Sequence, residues 1–199
     1  MIKCNVTICG LINYSAIEKE TKEGDKFLAF GVTIPIAGRD GTAAEMQINA
    51  TTPGDASTKA EYSTGRRVLI NGTLMIRSTE AATYYNLRSN TLEFCSSTEQ
   101  DRVVGSMEFK GKIHDEIANR ESKTGRKFQT FSGFSSDKDG EKRGFTWVHF
   151  LNPLPIKEDW LSKGKYVEIS GDLSINAYKN NINIECRTND IKEWLLPQK

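Results

Sequence analysis

Two phenylalanines beside basic residues are the side chains best suited to hold a ligand. Phe27 follows Lys26, and Phe128 follows Arg126 and Lys127. An aromatic face can stack a flat ring while a nearby cation meets a phosphate, which is the combination that single-stranded nucleic acid requires. The alternative is that a neighbouring loop or a subunit covers each ring, because exposed aromatic residues mark interfaces of every kind.

These two groups occupy the same place in an internal repeat. One set of residues recurs 101 residues later, and a second set recurs 99 residues later. A period near 100 residues is the size of a domain. The first set is Gly10, Ile12, Glu20, Lys22, Gly24, Lys26, Phe27 and Phe30; the second is Gly65, Val68, Ile70, Gly72, Leu74, Ile76, Arg88 and Asn90. We therefore expect one domain in two copies, residues 1–98 and 103–199.

Alternation of apolar and polar residues predicts five strands in each copy. The fourth is the clearest, since its apolar residues fall on one face around a central glycine, Gly72 or Gly171. A mid-strand glycine indicates a bulge or bend. Five short strands with little helix predict an all-β fold, namely two tandem five-stranded OB-fold Greek-key barrels, with a small sandwich as the alternative. A helix of about two turns is expected at 155–161, where Pro155 suits the first helical position.

Face assignment predicts which side chains point outward. In the second copy Phe131 and Gly133 face the core, so Phe128 faces out. On the third strand the 101-residue offset aligns Trp147 with Met46, which leaves Trp147 open to two interpretations, core packing or base stacking. Phe150, aligned with Asn49, is then the outward residue of that strand.

Further candidates for nucleic-acid contact are basic or aromatic residues at outward or loop positions. A solvated surface cation or a partly packed loop tyrosine is the simpler interpretation of each. They are Arg77, Tyr84, Arg88, Lys110, Lys112, Tyr178 and Arg187.

Composition disfavours several functional classes. The chain has a net charge of only +1, but residues 1–101 carry 10 Lys+Arg against 12 Asp+Glu, whereas residues 102–199 carry 17 against 14. A polyanionic ligand should therefore be held more tightly by the second copy. The two histidines and four cysteines form no catalytic or metal-ligating constellation, so no enzyme activity, cofactor or metal is expected. Without a signal peptide or membrane span, a cytoplasmic protein is expected.

Two segments resemble the bacterial and phage type of single-stranded DNA-binding protein. Residues 161–173, Leu-Ser-Lys-Gly-Lys-Tyr-Val-Glu-Ile-Ser-Gly-Asp-Leu, are similar to the family's entry into its fourth strand, and residues 63–74 are a weaker copy. Residues 24–30, Gly-Asp-Lys-Phe-Leu-Ala-Phe, look like its second strand. The family's longer helix between strands three and four is reduced here, and its acidic, phenylalanine-tipped C-terminal tail is not seen.

The resemblance implies OB folds that bind single-stranded DNA and assemble in fours, which two chains would reach as a homodimer. It suggests a role in DNA replication, recombination or repair, of the kind that a phage or mobile element encodes. Two alternatives remain open. One is an RNA-binding protein on the same fold, since stacking does not distinguish the sugars; the other is an OB-fold subunit whose aromatic residues bind protein.

Overall fold

The computed structural model describes residues 2–38, 41–139 and 142–195. Strands make up nearly all of its regular structure, together with a single turn of 3-10 helix at Lys59–Glu61. In the first copy the strands are β1 Ile2–Glu20, β2 Lys26–Ala37, β3 Ala43–Pro53, β4 Arg67–Ser78 and β5 Thr83–Phe94. In the second copy they are β6 Arg102–Ile113, β7 Ala118–Glu121, β8 Lys127–Asp139, β9 Lys142–Asn152, β10 Tyr166–Tyr178 and β11 Asn181–Glu193.

Each copy closes into a barrel with the same strand order. In the first, β1 pairs with β2, β2 with β3, β3 with β5 in parallel, β5 with β4, and β4 with β1. In the second, β6, β8, β9, β11 and β10 close in the same sequence, and β7 pairs with the same edge of β8 as β6 does. The predicted all-β class, with two five-stranded Greek-key barrels of the OB type, is confirmed.

The two barrels are joined through their first strands. β1 pairs antiparallel with β6 from Lys3 opposite Glu108 to Cys9 opposite Arg102. At the centre of this pairing Asn5 lies opposite Ser106, which occupies the same position one repeat of 101 residues later. The contact is thus symmetric about a local two-fold axis, as in an isologous dimer, but it is made within one chain.

The apolar residues assigned to the core face fill the barrels. Ile8, Ile70 and Leu74 are completely or almost completely buried in the first barrel, as are Phe109 and Val167 in the second. The bends at Gly72 and Gly171 are present as register shifts against β5 and β11. A Cβ at Gly72 would overlap the carbonyl oxygen of Arg88, and one at Gly171 that of Arg187, so only glycine allows the backbones to approach this closely.

The second copy differs from expectation between β9 and β10. No helix forms at 155–161; the segment is an irregular loop with a turn in which the Leu161 amide donates to the Glu158 carbonyl (3.2 Å). The Gln129 side chain accounts for this, because it accepts from the Ile156 amide (3.0 Å) and donates to the Ile156 carbonyl (2.9 Å). A backbone amide and carbonyl bound to a strand in this way do not take part in helical hydrogen bonding. β7 is the counterpart of the last part of β1, because each of its pairs with β8 lies 101 residues after a pair of Ile17–Glu20 with β2.

No helix among the described residues is long and apolar enough to cross a membrane.

Candidate nucleic-acid interface

The outer face of the β8–β9 hairpin carries a cluster of exposed aromatic side chains. Phe145 is 46% exposed and Trp147 is 45% exposed, and both pack against Phe134 with ring centroids 5.3 and 5.2 Å away. His114, which follows β6, lies edge-on to Trp147 at 4.8 Å. We call Phe134, Phe145, Trp147 and His114 the aromatic platform. Phe145 and Trp147 are thus partly exposed beside one another, and an exposed ring face can stack a base.

Alternation along β9 holds the platform in place. Gly144, Thr146 and Val148 lie on the buried face of the strand, so the intervening Phe145 and Trp147 lie on the opposite, exposed face. Thr146 is buried and donates from its hydroxyl to Ser78 Oγ of the first barrel (2.9 Å). The hairpin that carries the platform is therefore anchored at its inner face on the other copy.

Close packing against the first barrel supports the same hairpin. A Cβ at Gly144 would overlap the backbone carbonyl of Ser78. Nearby, Arg77 donates from its guanidinium to the carbonyl of Lys138 (2.9 Å), and Lys142 pairs with Glu80 (2.7 Å). Arg77 thus joins the two barrels, so at least one nitrogen of the guanidinium expected to meet a phosphate is engaged within the protein.

Trp147 and Phe150 exchange the roles expected from the repeat alignment. Trp147 faces solvent, while Phe150 is only 2% exposed and stacks on Phe131 at 5.1 Å inside the barrel. Phe150 cannot stack a base, so its assignment as a binding residue is wrong. The cause is a one-residue difference between the two hairpins: seven residues separate the paired Ile36 and Ala44, and six separate the equivalent paired Asp137 and Gly144. Asp137 pairs with Gly144 in the second copy, whereas Ile36 pairs with Ala44 in the first, and the structural counterpart of Trp147 is therefore Gln47.

Phe27 and Phe128 are half-buried on the outer surfaces of their barrels. Phe128 lies opposite Arg120 of β7 and lines a surface groove with Arg120, Lys127 and Pro155. Phe27 lines two adjoining grooves that share Arg88. Each therefore has an accessible edge beside a cation, although each is more covered than Trp147.

The equivalent surface of the first barrel is polar. At the positions of Phe134, Phe145 and Trp147 it carries Thr33, Glu45 and Gln47. The Thr33 hydroxyl donates to the Glu45 carboxylate (2.6 Å), and Asn49 donates to Asn86 (3.3 Å). This face offers neither ring surfaces nor positive charge at the three positions.

Several predicted cations are engaged with acidic side chains or with aromatic rings. Lys26 pairs with Glu18 (3.0 Å), and Lys110 pairs with Glu168 (2.6 Å). Lys112 lies with its ammonium 5.7 Å from the Tyr166 ring centroid. Arg88, Arg126, Lys127 and Arg187 are exposed. Of these, Arg126 and Lys127 lie in and just after the turn that leads to Phe128.

The two tyrosines expected in loops lie at the ends of strands, Tyr84 near the start of β5 and Tyr178 at the end of β10. Tyr84 is 43% exposed and pairs across the strands with Arg77 near the end of β4. Tyr178 is 55% exposed at the β10–β11 turn, with the Lys179 ammonium 5.3 Å from its ring. Lys179 and Asn180 both have positive φ there, at 48° and 62°.

Sequence reasoning missed three members of the platform, Phe134, Phe145 and His114. The signal that could have found them is the spacing of Phe145 and Trp147, two residues apart and hence on one face of a strand. With Trp147 outward, Phe145 is outward as well, and Phe134 follows from pairing across the hairpin.

Cysteine chemistry plays no part at this face. Burial raises the pKa of Cys4 and that of Cys186 to about 12, so both are protonated thiols at neutral pH. Within residues 2–38, 41–139 and 142–195, no three His, Cys, Asp or Glu side chains converge as a metal site would require. Residues 196–199, which belong to the C-terminal segment compared with the family's tail, lie outside the described residues.

Comparison with known proteins gives similarity in structure only. No family model matches the chain, and no curated protein sequence matches it. Most of the similar solved structures are single-stranded DNA-binding proteins. That of Thermus aquaticus covers 100% of this chain and 95% of its own, at 12% identity and a TM-score of 0.47. The small protein of Streptomyces coelicolor covers 50% of this chain and 96% of its own, at 12% identity and a TM-score of 0.37. The Plasmodium falciparum protein in complex with single-stranded DNA covers 46% and 95%, at 19% identity and a TM-score of 0.36. At these levels of similarity the residues of the chain itself must support any function.

Proposed function

We propose that this protein binds single-stranded DNA without sequence specificity and acts in DNA replication, recombination or repair. The observation that supports the proposal is the aromatic platform, where Phe134, Phe145 and Trp147 are held outward on one hairpin. Stacking of a base on an aromatic side chain contributes roughly 1–3 kcal/mol and accepts any base, because every base has a ring face.

Charge favours the second barrel as the main binding surface. Arg126 and Lys127 are exposed near Phe128, and Arg120 faces Phe128 across the strands. On the first barrel Glu45 stands where Phe145 stands on the second, so a phosphate there would meet a like charge. The first barrel then serves to support the hairpin through Ser78 and to add contacts through Phe27 and Arg88.

The test is fluorescence anisotropy with a labelled thymidine homopolymer of about 16 nucleotides, the upper end of the site sizes of single OB folds. Unlabelled duplex and a uridine homopolymer of the same length serve as competitors. We expect the affinity for the single strand to be well above that for the duplex. Trp147→Ala should lower the affinity for the single strand about tenfold or more. Gln47→Ala is the matched control at the same place on the first barrel and should leave the affinity unchanged.

Three outcomes would contradict this proposal. Equal affinity for duplex and single strand would refute the proposed preference for single strands. If the uridine homopolymer competes more strongly than unlabelled thymidine homopolymer, the protein is an RNA-binding protein. If neither nucleic acid binds, the platform is left as a protein-interaction surface.

For assembly we propose a homodimer, which would present four barrels. The outer face of the sheet formed by β4, β1 and β6 exposes Val104 (50%) and Leu11 (39%), with Leu69 and Met75 half-buried beside them. Burial of these side chains against a second chain would remove apolar area from water. Light scattering should give twice the 22.3 kDa mass of one chain. A mass of 22.3 kDa would refute the homodimer and leave a monomer whose two barrels are joined by the pairing of β1 with β6.

A further inference from the structure

A row of directly paired residues extends the aromatic surface beyond the platform. Trp147 pairs with Phe134, Phe134 with Lys112, and Lys112 with Tyr166. Beyond Tyr166, the Trp194 amide donates to the Tyr166 carbonyl (2.9 Å), and the two rings lie 6.0 Å apart. Residues paired across neighbouring strands project from the same face of a sheet, so the row follows one outer surface around the second barrel.

The far end of this row combines rings with cations. Tyr166 is 38% exposed and Trp194 is half-buried; we call them the distal pair. The Lys112 ammonium lies 5.7 Å from the Tyr166 ring centroid, and the Lys110 ammonium lies 5.8 Å from that of Trp194. An ammonium placed over a ring is held close to any base that stacks there, where a phosphate can reach it.

The two lysines differ in how free they are to meet a phosphate. Lys110 is paired with Glu168 at 2.6 Å, and a phosphate would have to compete with that carboxylate. The ion pairs within the described part of the chain give Lys112 no carboxylate partner. Lys112 also lies in the middle of the row, between Phe134 and Tyr166. It is therefore the cation best placed to hold a phosphate between the two groups of rings.

We propose that the distal pair is a second stacking site for the same single strand, which passes from the platform over Lys112 to Tyr166 and Trp194. This inference rests on the proposed function. From Trp147 to Trp194 the row crosses four strand spacings, roughly 19 Å at about 4.8 Å each. At a rise of about 3.4 Å per nucleotide, a stacked strand needs about six nucleotides to reach from one end to the other. The nearest rings of the two groups, Phe134 and Tyr166, are two strand spacings apart, roughly 10 Å, which about four stacked nucleotides already cover. An oligomer of about two nucleotides therefore contacts one group of rings at a time.

Two variants with single tryptophans test the path by fluorescence. Trp160→Phe with Trp194→Phe leaves Trp147 as the reporter, and Trp160→Phe with Trp147→Phe leaves Trp194. Phenylalanine keeps a ring at each site, so binding is retained. Addition of a thymidine homopolymer of about 16 nucleotides should quench both reporters. Quenching of Trp147 with an unchanged Trp194 signal would refute the distal site and leave the proposed function intact, whereas no quenching of either reporter would refute both.

Affinity gives the second arm of the test. Lys112→Gln should weaken binding of the 16-nucleotide strand about tenfold, while its affinity for a two-nucleotide strand changes by less than about twofold. Lys192→Gln is the control, because Lys192 is an exposed lysine of the same barrel that pairs with Asp190 (2.7 Å) and lies outside the row. Equal effects of the two substitutions, or an equal effect of Lys112→Gln on both lengths, would overturn the proposed path.

Discussion

At the scale of single residues, the direction in which a side chain points decides whether it can bind. Trp147 and Phe150 lie on one strand, three residues apart, and therefore on opposite faces. One is open to solvent and the other contacts Phe109 and Phe131 in the core. An aromatic residue type alone does not separate these two roles.

Phe150→Ala is expected to destabilise the protein by about 3–5 kcal/mol, the usual cost of removing a buried aromatic ring. Trp147→Ala should cost less, about 1–2 kcal/mol, because the residue is 45% exposed and its ring packs against Phe134 and His114 on the surface rather than in the core. Urea denaturation followed by circular dichroism measures both. Similar losses for the two variants would place Trp147 in the core and remove the platform.

Phe128→Ala is expected to weaken single-strand binding more than Phe27→Ala, since Phe128 belongs to the barrel with more basic than acidic residues. The losses should fall within the roughly 1–3 kcal/mol of one stacked base, and toward the lower end for rings that are half-buried. Anisotropy titrations of both variants at one salt concentration make the comparison. A larger loss for Phe27→Ala would shift the main contact to the first barrel.

At the scale of strands, the repeat predicted the fourth strand of each copy fully and the third strand only in part. β4 and β10 carry the apolar residues and the central glycine on the predicted faces. On β9, however, the 101-residue offset aligned Trp147 with Met46, whereas pairing with β8 places it opposite Phe134 and makes Gln47 its counterpart. A shift of one residue moves every side chain of a strand to the other face, so one deletion in a hairpin connection reverses the whole assignment. No feature of a single sequence gives the length of that connection independently.

Gly171→Ala is expected to destabilise the second barrel by about 1–3 kcal/mol or more, because the added methyl group meets the backbone carbonyl of Arg187 and a backbone cannot move aside as a side chain can. Ser174→Ala, at an exposed position on the same strand, is the control and should be close to neutral. Chemical denaturation distinguishes them. A stable Gly171→Ala variant would mean that the bend in β10 does not depend on the absence of a side chain.

At the scale of the whole molecule, symmetry in the backbone is combined with asymmetry in the surface. The pairing of β1 with β6 is centred on Asn5 and Ser106, equivalent positions of the two copies. The outward residues of the β2–β3 and β8–β9 hairpins nevertheless differ, with Glu45 and Gln47 in one and Phe145 and Trp147 in the other. Duplication thus supplied two similar frameworks, of which the second carries the rings and the excess of basic residues.

This asymmetry predicts a modest dependence of binding on salt. The chief cations placed near the rings of the second barrel are the half-buried Lys112 and the exposed Arg120, Arg126 and Lys127. Each phosphate contact on a single strand contributes a slope of about −0.7 to the logarithm of affinity against the logarithm of salt concentration, so three or four contacts give a slope between about −2 and −3. Titrations over a tenfold range of salt measure it, and Arg126→Gln should make the slope shallower by about 0.7. A slope near zero would mean that stacking alone holds the strand, and a much steeper one would mean that cations outside this set, including those of the first barrel, also contact the phosphates.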